Sequence, residues 1–173
     1  MTTPPKKKAE ASICEEHREF APLIAAIEKV EGSVGEASPL LLRADSRALQ
    51  ESLAHGLIPH AVGEGRTMFP VLRRVTGSDE VARSMNREHR EISGLTDQLE
   101  RVTNELVRSG RIGEHERSLR GLLSQLRLAV DEHFSEEEEA CFSVLQAELS
   151  EDEARDLFVA LERATDEVRN LYE

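Results

Sequence analysis

The sequence predicts an all-α fold: an up-down-up-down four-helix bundle with an additional C-terminal helix. Three observations carry this expectation. Apolar residues recur at i, i+3, i+4 and i+7 almost throughout, with little of the alternation that marks strands. At 173 residues the chain has the length of one domain. A block of histidines and glutamates also recurs between its two halves, as expected of two stacked helical hairpins.

Residues 1–10 read as a polar, disordered tail containing proline and lysine. The first helix is expected from about Ser12 to Val30, with Phe20, Leu23, Ile27 and Val30 on its apolar stripe. Gly32 to Ala37 read as a loop, and Ser38-Pro39 supplies an N-cap followed by proline at the first helical position. The second helix continues to about Val75, with interruptions expected near Pro59 and Pro70. Ser78-Asp79-Glu80 opens the third, along which Met85, Ile92, Leu99 and Leu106 recur every two turns, and Gly110 and Gly113 close it. The fourth runs from about Glu114 to Leu149. Ser150 and Glu153 form a capping box for a fifth helix, whose apolar side carries Leu157, Phe158, Leu161, Val168 and Leu171. That helix is expected on the outside of the bundle or in a homodimer interface. The chain thus divides into a tail (1–10), a bundle (11–149) and an accessory helix (150–173).

Acidic side chains outnumber basic ones 34 to 22, for a formal net charge of −12. This argues against nucleic acid, which demands a basic surface, and against anionic membranes. No apolar run approaches the roughly 20 residues of a membrane span, and the first residues lack the apolar segment of a secretion signal. Cys14 and Cys141 are too few for a disulfide framework and fit free thiols in a reducing compartment. The expected location is therefore the cytoplasm.

The internal repeat is the most informative feature. Glu16-His17-Arg18-Glu19-Phe20 matches Glu88-His89-Arg90-Glu91-Ile92, and His60-x3-Glu64-x4-Phe69 matches His133-x3-Glu137-x4-Phe142. The offsets of the two blocks differ by one residue. Each hairpin therefore has one histidine on its first helix and His-x3-Glu on its second. Residues four apart share a helix face, and here that face is the core stripe: Leu49, Leu53, Leu57, His60, Glu64, Met68 and Val71 on the second helix, and Leu126, Val130, His133, Glu137, Cys141 and Val144 on the fourth. Burying ionised carboxylates costs several kcal/mol each, a cost that bound cations remove. Six ligands exceed one tetrahedral zinc but suit two metals bridged by the glutamates. Mixed nitrogen and oxygen ligation favours iron, with manganese as the alternative.

With those residues in place, the sequence resembles the hemerythrin-like, or HHE cation-binding, family from about Ile13 to Leu145. The family pattern is met by His17, His60, Glu64, His89, His133 and Glu137. The resemblance implies a non-haem site of two iron ions, oxo- or hydroxo-bridged, that binds oxygen, nitric oxide or peroxide for sensing, storage or detoxification. Two further readings are a catalase-, peroxidase- or oxygenase-like enzyme, and a protein of iron–sulfur cluster repair or iron handling. The chain departs from the invertebrate oxygen carriers in having Ser93 where they have a fifth histidine, and Glu138 where they use their last carboxylate.

Phe20, Phe69, Phe134 and Phe142 are expected to line the site, whereas His55 and His115 are expected outside it. Cys14, one turn before His17, and Cys141, one turn after Glu137, fall on one side of the metals, either as a redox-linked pair or as small core residues. A phosphotransfer bundle built on His89, or a purely structural bundle, would leave the repeated ligand pattern unexplained.

Overall fold

The computed structural model describes the backbone of residues 6–109 and 112–171, and side chains over 20–106, 108 and 115–171. Among the described residues every regular element is helical. The helices are α1 (Lys6–Ser33), α2 (Pro39–Ser52), α3 (Ile58–Thr76), α4 (Glu80–Ser109), α5 (Ile112–Glu136), α6 (Ser143–Glu148) and α7 (Glu151–Arg169). Two π-helical turns, Leu53–Leu57 and Glu137–Phe142, join α2 to α3 and α5 to α6, leaving five helical rods.

Helix α1 starts at Lys6 rather than near Ser12. The run Lys6-Lys7-Lys8-Ala9-Glu10-Ala11 follows two prolines and consists of strong helix formers, so nothing stops the helix there. Residues 1–5 lie outside the described structure.

The interruption expected near Pro59 takes the form of the π-turn Leu53–Leu57, whereas none occurs at Pro70, which lies inside α3. Proline lacks the N–H that would bond the carbonyl four residues back and crowds that carbonyl with its ring. Ahead of Pro59 the chain widens into the π-turn, with the Ile58 N–H bonded to the Leu53 carbonyl. The His55 carbonyl that Pro59 cannot serve instead accepts from Arg169 Nε at the end of α7, at 3.2 Å. Pro70 lies on the exposed face, as does Arg66 four residues back, so water can serve the unused carbonyl.

Capping follows the sequence. Ser38 Oγ accepts from the Leu41 N–H ahead of α2, and Pro39 is the first residue of that helix. Gly77, at φ 65°, ends α3 in the left-handed conformation that glycine adopts without penalty. Both bonds of the Ser150–Glu153 capping box are formed.

Helix α1 packs against α2 and α5, and α4 packs against α2, α3 and α5. Two apolar clusters result. The larger contains Ile27, Leu42, Leu53, Leu99, Leu119 and Leu126. The smaller contains Met68, Phe69, Leu72, Met85, Cys141 and Leu157. Along α2–α3 and α5–α6 the chain passes from the larger cluster to the smaller, and along α4 it passes in the reverse order. The polar positions His60, Glu64, His89 and Glu137 fall between the two on the rods that carry them, and His133 adjoins Phe134 at the edge of the larger cluster. Beyond the polar layer Leu72 and Leu145 are buried, while Val71 and Val144 of the expected stripes are half-buried.

Helix α7 is an in-chain cover, packed chiefly along α3. It buries Leu157, Leu161, Ala164, Thr165 and Val168. Leu171, expected on this face, is 79% exposed because the helix has ended at Arg169. The approach of α7 to α3 explains one glycine: a Cβ on Gly63 would lie 2.5 Å from Thr165 Oγ1 and 3.2 Å from the Thr165 backbone nitrogen.

Candidate metal centre

Helix α3 presents His60 and Glu64 one turn apart on its core face, and the same spacing sets His133 and Glu137 at the junction of α5 and the second π-turn. Helix α4 brings His89 from the opposite chain direction. All five are withdrawn from solvent: His133 is 0% exposed, Glu64 and Glu137 1% each, His60 6%, and the His89 side chain 11%. His17 lies on α1, and its side chain falls outside the described residues.

The donors form two overlapping groups: Glu64, His89 and His133 in one, and His60, Glu64 and Glu137 in the other, with ligand atoms within 4.8 Å of one another in each. Glu64 belongs to both. Its Oε1 is 3.1 Å from His60 Nε2, and its Oε2 is 3.1 Å from His89 Nε2. His133 Nε2 is 3.7 Å from Glu137 Oε2.

Both oxygens of Glu64, and the Nε2 atoms of His89 and His133, are buried with no hydrogen-bond partner. Buried polar atoms are nearly always satisfied, so a cluster of lone pairs aimed at a common centre fits a cation. Two ligand atoms of one ion at metal–ligand distances of about 2.0–2.2 Å stand at most ~4.4 Å apart, close to the span of each group.

The electrostatics point the same way. Burial alone pushes the Glu64 carboxyl up. The electrostatic attraction of His60 and contacts from Glu137, His60 and His89 outweigh it and hold Glu64 well below the usual carboxylate range. A buried carboxylate favoured in its ionised form calls for positive charge beside it.

Aromatic rings wall the imidazoles. Phe20 lies 5.2 Å from His60 and 5.7 Å from Phe134, centroid to centroid, and Phe69 stacks on His89 at 5.5 Å. Phe142 belongs to the smaller apolar cluster. His55 is exposed in the first π-turn, and His115 is 3.9 Å from Glu105 near the start of α5, so both lie apart from the donor groups. Cys141 is buried and in no disulfide. Burial, followed by the charges of Glu137 and Glu64, pushes its thiol far up, which suits a small core residue. Cys14 lies outside the described side chains.

A profile of the Hemerythrin HHE cation binding domain family matches residues 11–114. The chain belongs to this family. The hemerythrin match spans His17, His60, Glu64 and His89 and stops short of His133 and Glu137, which join the set through the repeat and through their place in the structure. Cation binding is the family's property, and this chain's buried His/Glu groups supply a candidate site for it. Comparison with curated proteins and with solved structures gave no match. Among the described residues no helix is long and apolar enough to cross a membrane.

One residue next to the site escaped the reading of ligands from spacing. Glu88 Oε2 lies 3.1 Å from His133 Nδ1. The signal was present in the repeat, which places a glutamate directly before both His17 and His89.

Proposed function

We propose that this protein is a non-haem di-iron hemerythrin of the up-down-up-down bundle type. His17, His60, Glu64, His89, His133 and Glu137 hold two iron ions, and the site binds a small ligand, O2, NO or peroxide, for sensing, storage or detoxification. The observation that carries this reading is the pair of overlapping donor groups joined at Glu64, whose two carboxylate oxygens are buried with no hydrogen-bond partner. A set rich in imidazole with two carboxylates, one of them shared by both donor groups, suits iron.

Iron, when bound, would supply redox chemistry and a Lewis-acidic coordination position. The rest falls to the chain. Glu64 offers one oxygen to each donor group and so sets their separation. The imidazoles contribute neutral nitrogen donors, and the two carboxylates offset cation charge in a layer that neither apolar cluster can solvate. Phe20, Phe69 and Phe134 keep bulk water from that layer and leave a surrounding suited to small, weakly polar ligands. The same reading takes 11–149 as the bundle and 150–173 as its accessory helix. It also puts the protein in the cytoplasm, where a thiol such as Cys141 stays reduced. Self-association through α7 would have to use its outward side, where Val159 is 59% exposed, since the other face is spent on α3.

The test is anaerobic reconstitution with Fe(II), metal analysis and optical spectra before and after adding O2, NO or peroxide. Two irons per chain and a ligand-dependent spectrum are expected. One iron or fewer overturns the di-iron reading.

A further inference from the structure

Behind the donor groups stands a carboxylate that coordinates nothing in either. Glu88 immediately precedes His89, but successive residues point about 100° apart around a helix, so the two side chains part company. Glu88 reaches across the interface of α4 with α5, where its Oε2 meets His133 Nδ1 at 3.1 Å. Its other oxygen accepts from Ser84 Oγ, one turn earlier, at 3.3 Å. Ser84 Oγ in turn accepts from the Arg87 guanidinium at 3.1 Å.

In a neutral imidazole one ring nitrogen carries the proton and the other the lone pair, so a partner on one nitrogen decides what the other offers. An ionised carboxylate only accepts. With its proton on Nδ1, His133 is left with a bare Nε2, the nitrogen that stands among Glu64, His89 and Glu137 without a hydrogen bond. An ordinary surface ion pair would not require the histidine to be fully buried, as His133 is.

We propose that Glu88 is a positioning residue for His133, fixing its tautomer and ring plane by accepting the Nδ1 proton so that Nε2 is presented to the site. As a statement about metal affinity this rests on the di-iron reading; as a statement about the imidazole it does not. Removing an outer-shell partner of a metal-bound histidine typically weakens binding about 10–100-fold.

The experiment compares wild type with Glu88→Ala, Glu88→Gln and Glu88→Asp. Long-range proton–nitrogen NMR on histidine-labelled, metal-free protein reads the His133 tautomer. Competition of Fe(II) against a chromophoric chelator under anaerobic conditions reads affinity. Wild type should hold the Nδ1–H form. Glu88→Ala should lose it and bind Fe(II) about 10–100-fold more weakly. Glu88→Gln, whose carbonyl still accepts from Nδ1, should restore both. Glu88→Asp keeps the charge but is one methylene too short; it should behave like Ala and serves in its place if the Ala variant does not fold. An unchanged tautomer and unchanged affinity in Ala or Asp overturn the proposal. A wild-type chain that takes up no Fe(II) overturns the di-iron reading alone, because the metal-free tautomer still decides the role of Glu88.

Discussion

His60 with Glu64 and His133 with Glu137 occupy equivalent places in the two halves of the repeat, yet the structure treats the two pairs differently. Glu64 lies within 3.1 Å of imidazoles on two rods and belongs to both donor groups. Among the described residues Glu137 belongs to one. His133 is held from behind by Glu88 on α4, and rings stand beside both imidazoles, Phe20 at His60 and Phe134 at His133. The π-turns differ as well: one comes before His60, the other begins at Glu137. A duplicated motif therefore fixes which side chains enter the layer, while the helices packed against each copy fix what each one does there.

If Glu64 links the two donor groups, Glu64→Ala should abolish stoichiometric metal, leaving less than about a tenth of wild-type iron, since removing one partner of a buried charged network typically costs 3–5 kcal/mol. Glu137→Ala should retain more than Glu64→Ala, and His55→Ala or His115→Ala should match wild type. Iron per chain after reconstitution checks all four, and equal losses in the two Glu variants would erase the asymmetry.

The next largest effect concerns α7, which covers α3. Gly63→Ala places a Cβ against Thr165 and should destabilise by about 1–3 kcal/mol through overpacking. Thermal unfolding reads this loss. Because the strain lies at the α3–α7 contact, adding Thr165→Ala, which removes the hydroxyl, should recover only part of it: the Thr165 backbone nitrogen remains 3.2 Å from the new Cβ.

Cys141 gives the smallest effect. Its thiol is pushed up in the folded protein from an ordinary value of 9.0. A folded state that holds its proton more tightly is favoured while both states are protonated, and this advantage is lost as pH rises past the unfolded value. Stability should therefore fall above about pH 9, and less so in Cys141→Ala than in wild type once each is compared with its own value at pH 7. Near pH 8 the folded protein should leave Cys141 unmodified by a thiol reagent that labels it on unfolding.

The helices and the ligand spacing were legible in the sequence because both depend on neighbours within a few positions of the chain: apolar residues at helical intervals, Ser38 and Ser150 as caps, His-x3-Glu on one face. Glu88 was harder to read. Its role depends on the register of α4 against α5, which local spacing does not encode, and only its recurrence before both histidines hinted at it. The π-turns were hidden for a similar reason. Pro59 forecasts a lost hydrogen bond, but whether the chain breaks or widens is decided by what takes the orphaned carbonyl, here Arg169 from α7. The fate of α7 itself depended on Gly63 leaving room on α3.

The polar layer between the two apolar clusters also bears on cooperativity. Side chains on opposite sides of it, such as Leu72 and Leu99, share no cluster, so truncations there should act as nearly independent insults whose free energies add. Within either cluster, neighbours share cavities and their effects should couple. The imidazole and carboxylate layer thus works as a partition in the energetics of the fold, bridged mainly by the helical backbones that run through it.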